Sequence, residues 1–430
     1  MTATESQPTD QQAPPSAPAP GNEGQNIVGI VGVVAFLGLV LVSWGWPGLV
    51  VVLAIVVMIF MHELGHFVTA KWSGMKATEF FLGFGPRIWS FRRGETEYGL
   101  KAIPAGAYVK IIGMNNLEEV DPADEHRTYR QQTYPKRLLV AVAGSAMHFL
   151  MALVLLYAVL VGWGVYGDPS EWFVNDIAAD SAAADMGLQA GDRVVSVDGV
   201  AVTTFDDMKV QVEQRPGQTV TLEVLRDGEV FTTSGTLGDV DGSGRLGVVF
   251  NQADLPLDRL GPVEAVPETL QIFGSAAKQT TSGLVSFFTP SGLGDFFGSA
   301  FDRGESTAVG SGGGTSTTGG DAESADENRV LSIFGAARIG AQLTEEGLAG
   351  LFGFLVLINI TVGVLNLLPM LPLDGGHVVV ATYERLRSRG GQRYHADVAK
   401  LLPLTYAVVM LLLSVGLVAL WLDITDPVNI

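Results

Sequence analysis

Residues 47–72 read Pro47-Gly-Leu-Val-Val-Val-Leu-Ala-Ile-Val-Val-Met-Ile-Phe-Met-His62-Glu63-Leu64-Gly65-His66-Phe-Val-Thr-Ala-Lys71-Trp72. An uncharged stretch thus runs directly into a His-Glu-x-x-His pentapeptide. On a helix, positions i and i+4 share one face. His62 and His66 can therefore offer imidazole nitrogens to one tetrahedral Zn2+, with Glu63 beside the metal's water as general base. The same pentapeptide arises by chance in soluble helices, where both His are solvated surface. Here that reading would put two His and a Glu at membrane depth, where ionisable groups are costly and usually functional.

Composition extends the membrane reading. Charged residues make up 17% of the 430, against about 25% in soluble domains, and mean hydropathy is +0.32. Leu138–Tyr166, Leu348–Leu368 and Leu401–Leu422 contain no Asp, Glu, Lys or Arg, and each can cross about 30 Å of hydrocarbon. Ile27–Trp46 is a further apolar stretch. Trp44, Trp46, Pro47 and Gly48 mark an interfacial turn between it and the span holding His62. A cleaved signal peptide competes, but no Lys or Arg precedes this stretch and no A-x-A-like site follows it. Ile27–Trp46 is therefore expected to be a fifth span.

Charge distribution predicts orientation. Residues 1–70 hold no Lys or Arg, 71–137 hold 11, 167–346 hold 10 and 373–400 hold 5. Short basic segments stay in the cytoplasm, which puts 71–137 and 373–400 inside the cell and the long segment 167–346 outside. The latter carries 28 Asp plus Glu, a strongly acidic balance that speaks against nucleic-acid binding. With no Cys in the chain, no disulfide staples the outer segment and no thiolate can hold a metal.

Two His leave zinc short of the three protein ligands usual in catalytic sites. The third is expected at Asn366-Leu-Leu-Pro369-Met-Leu-Pro372-Leu-Asp374-Gly375-Gly376-His377. There two prolines end a helix, two glycines allow a close backbone turn, and Asp374 offers a carboxylate oxygen. A turn capping a membrane helix is the plainer reading of Asp-Gly-Gly.

His62–His66 paired with Asn366-x-x-Pro369-x-x-Pro372-x-Asp374-Gly375-Gly376 resembles the site-2 protease family of intramembrane zinc metalloproteases, in its bacterial branch, over about residues 50–425. The resemblance implies one Zn2+ per chain held by His62, His66 and Asp374, Glu63 as catalytic base, and Asn366 orienting substrate or stabilising the oxyanion. It also likens Phe80–Pro86 and Thr96–Ile112 to the family's membrane-associated β-structure, which would make Gly83, Gly85 and Gly106 substrate-binding candidates at a strand edge. From the residues alone, apolar and polar positions alternate around Gly and Pro there, so a β-hairpin is expected. The family's Gly-Pro-x-x-Asn is replaced by Gly144-Ser145-Ala146-Met147-His148. His148 is expected to stand in for the Asn by hydrogen-bonding near Asn366–Asp374 without binding zinc; a fourth zinc ligand is the competing role. His126, His377 and His395 show no metal-like spacing and receive no role.

Ala183–Val202 resembles a bacterial PDZ core, with Asp227-Gly228 turning a hairpin between Val220–Leu225 and Val230–Thr233. Such domains capture extended peptides at a sheet edge, and a packing module without ligand is the alternative. The expected organisation is a disordered tail (1–25), two spans ending in the pentapeptide (26–72), a cytoplasmic β region (73–137), a span (138–166), the PDZ domain (167–250), an amphipathic interfacial segment (251–301) and a flexible linker (302–330). A span with the Asp-Gly-Gly motif (331–376), a cytoplasmic loop (377–400), a last span (401–423) and a short tail (424–430) follow. The fold class is an α-helical integral membrane protein with a membrane-associated β-hairpin and an extracytoplasmic α+β PDZ domain. Its expected partners are the bilayer of the plasma membrane and single-span membrane proteins such as a trimmed anti-sigma factor, which it would cleave in regulated proteolysis. A noncatalytic PDZ scaffold with a structural metal, and a transporter built on the Pro/Gly-broken helix, are the rival classes; neither explains Glu63.

Overall fold

The computed structural model describes residues 23–114, 118–166, 171–240, 242–250, 257–306, 332–345, 347–388 and 394–425. Most of the expected tail at 1–25, most of the linker at 302–330, Arg389 and Arg393 of the basic loop, and residues 426–430 lie outside them. Two compact units are present: residues 1–156 with 270–430, and residues 157–269.

In the first unit, α1 (Glu23–Trp72) is two helices meeting at Gly45, whose φ of 65° and ψ of −165° are non-helical, with Pro47 just beyond. The chain doubles back there. A Cβ on Gly29 would lie 2.9 Å from Ala102, while Phe60 and Phe67, more than 30 residues later, pack edge-on and tilted against Phe80 of the same sheet. Among the described residues, four helices are long and apolar enough to cross a membrane: Gly29–Trp72, Tyr134–Gly162, Leu348–Asn366 and Ala399–Thr425. The first, 44 residues long, has a summed rise of about 66 Å, twice a hydrocarbon core, so the bend at Gly45 accommodates the two stretches read separately in the sequence.

Between α1 and α2 (Tyr134–Gly162) lie β1 (Ala77–Arg93) and β2 (Thr96–Ile111). They form more than the expected hairpin. Residues 80–82 of β1 are flanked on both sides by β2, Phe80 pairing with Val109 and with Tyr98, while 87–93 pairs only with 96–101. Gly83, at φ 89°, sits where β1 bends, and a Cβ there would lie 2.8 Å from the carbonyls of Ile103 and Lys101. Both strands are thus folded over, leaving 107–111 as an outer edge. Glu95 in the tight turn binds Lys71 at the end of α1 and both terminal guanidinium nitrogens of Arg127, Nη1 and Nη2, at 2.6 and 2.8 Å. The Arg127 hydrogen bond holds the Glu95 carboxyl down at about 2.

Helices α3 (Ala265–Phe287) and α4 (Pro290–Ser306) follow, the former largely exposed. The segment 331–376, expected to hold the Leu348–Leu368 span and the Asp-Gly-Gly motif, comprises α5 (Ile333–Glu345), α6 (Leu348–Asn366), which is that apolar span, and, after a loop, the start of α7 (Asp374–Arg387); Gly347, at φ 113°, lies between α5 and α6. The last helix, α8 (Leu402–Thr425), places buried Asp423 where its Oδ2 accepts from Ser332 N at 2.7 Å, at the start of α5.

The second unit holds a four-stranded antiparallel sheet in the order 200–201, 193–197, 219–226, 229–236. Strand 219–226 alternates exposed and buried residues. Val194, Val197, Val220, Leu222 and Val224 form its core with Trp172. Asp227 and Gly228 both have positive φ, 51° and 86°, the primed turn that matches strand twist. Thr204 and Asp207 form a reciprocal capping box at the helix Phe205–Glu213.

Candidate metal centre and active site

The site is built where α1 crosses α2. A Cβ on Gly65 would lie 2.7 Å from Ala143 O, and one on Gly144 only 2.3 Å from His62 Cε1 and 2.5 Å from His66 Nε2. Two glycines facing one another thus let the α2 backbone approach the imidazoles directly. His66 Nδ1 lies 2.8 Å from Val140 O. A carbonyl only accepts, so Nδ1 carries the hydrogen and Nε2 presents its lone pair. That Nε2 is 3.2 Å from His62 Nε2.

Asp374 comes from the other end of the chain. Leu367 and Leu368 follow the end of α6, and α7 starts so tightly against this loop that a Cβ on Gly375 would lie 2.2 Å from Leu368 O and one on Gly376 2.6 Å from Leu371 N. This is why two glycines follow the carboxylate. Asp374 opens α7, where the helix dipole favours negative charge. Its Oδ2 lies 3.3 Å from His66 Nε2 and 3.6 Å from His62 Nε2 and is buried without a hydrogen bond.

His62, His66 and Asp374 form a group whose donor atoms all lie within 4.8 Å of one another. Two nitrogens and one oxygen, one nitrogen fixed from behind by a carbonyl and the oxygen otherwise orphaned, fit a zinc ion with an open fourth position. Glu63 Oε2 accepts the main-chain N–H of Val109 at 3.1 Å. A cavity of about 590 Å³ is lined by these four residues with Val109, Lys110, Ile111, Met114, Glu118 and His377.

The other site residues expected from sequence are placed differently. Asn366 is the half-buried last residue of α6, and it is absent from the cavity wall, as are Gly83, Gly85 and Gly106. His148 is buried, and its ring centroid is 5.0 Å from that of His62. Its partner is not the 366–374 segment but Asn359, about two turns earlier on α6: His148 Nδ1 lies 2.9 Å from Asn359 Oδ1, whose amide nitrogen donates to Leu355 O at 2.7 Å. Leu355 fixes the amide orientation, so Asn359 Oδ1 accepts and His148 Nδ1 donates. Asn359 carries no motif and was missed; an Asn among apolar residues in a spanning helix was its only signal. His377, given no role from spacing, lines the cavity, and burial holds its imidazole below its ordinary pKa.

The family model for peptidase family M50 matches residues 50–413. The zinc metalloprotease Rip1 of Mycobacterium tuberculosis is 32% identical over 416 residues, covering 88% of this chain and 97% of that protein. Rip1 of Mycolicibacterium smegmatis is likewise 32% identical over 417 residues, with the same coverage. The chain belongs to peptidase family M50, the site-2 proteases, and is a zinc metalloprotease. With its four long apolar helices it is a multi-pass membrane protein. Part of the chain is also similar to the PDZ domain of an SdrC-like protein of Listeria monocytogenes, at 22% identity over 19% of this chain and 88% of that one, with a TM-score of 0.18.

Proposed function

We propose that this metalloprotease cuts single-span membrane proteins within or near their transmembrane segments, with His62, His66 and Asp374 holding one zinc ion and Glu63 acting as base. The observation that carries the reading is the three-donor group, assembled from residues more than 300 positions apart, with Glu63 on the same cavity wall. When bound to these three donors, a zinc ion would polarise the scissile carbonyl and activate the attacking water. Glu63 takes the proton from that water and returns it to the leaving amine nitrogen. Val140 O keeps the His66 ring in the tautomer that presents Nε2. Asn366, at the end of α6, is assigned to orienting the substrate.

The positive residues of 71–137 and 373–400 support a cytoplasmic active site, and the acidic unit 157–269 is read as an extracytoplasmic PDZ domain that screens bulky outer segments. A trimmed anti-sigma factor is the substrate type proposed, its cleavage releasing a cytoplasmic regulator. The test is purified protein with zinc and a panel of single-span substrates. Wild type is expected to cut inside the apolar segment and Glu63→Ala to cut none; cleavage confined to soluble peptides would refute the assignment.

A further inference from the structure

The outer edge at 107–111 and the base share one hydrogen-bond donor. Ala107, Tyr108 and Val109 pair with Leu82, Phe81 and Phe80 on one side; among the described residues no strand pairs with their other side. The Val109 N–H points to that free side, because it is donated to Glu63 Oε2 at 3.1 Å. The same side lines the cavity holding His62, His66 and Asp374.

A peptide bond can be cut only after its helix opens, and in apolar surroundings the freed N–H and C=O groups need partners. A free strand edge beside the cavity offers them at every second residue, and Val109 is the middle of this edge. An extended segment laid along 107–111 therefore needs the amide that Glu63 occupies. One N–H cannot make two well-aligned bonds.

We propose that the Val109 amide is handed from Glu63 to a backbone carbonyl of the substrate, so that strand addition itself frees the base. This rests on the reading of Glu63 as base. In the resting enzyme Glu63 is tethered to the edge; an extended segment of substrate releases it, and a helix that fails to open leaves it tied. Cleavage is thereby coupled to unwinding rather than to proximity alone.

Amide hydrogen exchange at Val109, in the full-length zinc-loaded protein in nanodiscs, tests this. The amide is protected in wild type, and in Glu63→Ala it exchanges at least about tenfold faster, the loss of one charge-assisted bond. Adding a single-span model peptide, a Leu/Ala helix interrupted by Gly-Pro, to saturation by fluorescence anisotropy restores protection in Glu63→Ala. Unchanged exchange in Glu63→Ala would show that no tether exists. A saturating peptide that gives no protection would show that the edge does not receive substrate, while leaving Glu63 as base, which the loss of cleavage in the same variant decides separately. A kinetic arm uses Val109→Pro, which an outward-facing edge position tolerates. The hand-over confines its effect to KM, with kcat within about threefold of wild type. A kcat lowered about thirtyfold or more at unchanged KM would make the amide a fixed support of the base and overturn the proposal. Should Val109→Pro not fold, the exchange experiment decides alone.

Discussion

The two units solve opposite problems. In the helical unit nearly every spanning residue is apolar, so polar groups are few and matched one to one: His66 to Val140, His148 to Asn359, Asp423 to Ser332. In unit 157–269 charged and polar residues are interleaved with apolar ones, so a packed core around Trp172 and a regular alternation along 219–226 hold the fold. Loss of a small backbone contact should therefore be ruinous in the first unit and minor in the second, whereas loss of a large side chain should matter most in the second.

Gly144→Val carries the largest expected effect. Its Cβ would lie 2.3 Å from His62 Cε1, displacing the imidazoles; activity should fall by about a thousandfold or more, in line with loss of metal-site geometry. Zinc content measured by atomic absorption should fall with it. An active, zinc-replete Gly144→Val protein would break the claim that α2 seats the ligand pair.

Trp172→Ala is its counterpart. Trp172 is fully buried against Phe205 and Phe250, so the unit should lose about 3–5 kcal/mol, as for large aromatic truncations. Limited proteolysis should then cut within 157–269 while zinc content stays that of wild type. Zinc loss in this variant would show that the units do not divide the work as described.

The smallest effect concerns Glu95. Arg127 holds its carboxyl down at about 2. A depressed carboxylate pKa contributes stability above the ordinary value near 4.5 that is lost as pH falls from there toward 2. The pair is partly exposed, so Glu95→Gln should lower stability at pH 7 by on the order of 1 kcal/mol or less. The difference from wild type should shrink as pH falls below about 4.5 and close near pH 2. A difference still undiminished at pH 2 would mean that Glu95 acts by shape rather than charge.

How legible each unit was follows from the same contrast. In the second unit, Asp227-Gly228 announced a turn and alternation announced strands, because one face is wet and the other dry. In the first, α6 and α8 are apolar all round, so no stripe indicates which face meets a neighbour, and the His148 partner was placed two turns too late. The His62–His66 spacing and Asp374 could be read because ionisable residues are rare at such depth. Gly144 could be noted in sequence, but only the crossing of α1 over α2 reveals why a side chain there would strike the rings. The doubled-over sheet could not be read, since Gly83 and Gly106 signal bends without saying which strands the bends bring together.

Zinc stoichiometry alongside cleavage, in Glu63→Ala and Asp374→Ala, tests the division of labour at the site most directly. Three donors converge within 4.8 Å while Glu63 is tied to Val109 instead. Glu63→Ala should keep one zinc per chain and lose cleavage, and Asp374→Ala should lose both. Zinc lost from Glu63→Ala, or retained in full by Asp374→Ala, would contradict the assignment of ligands and base.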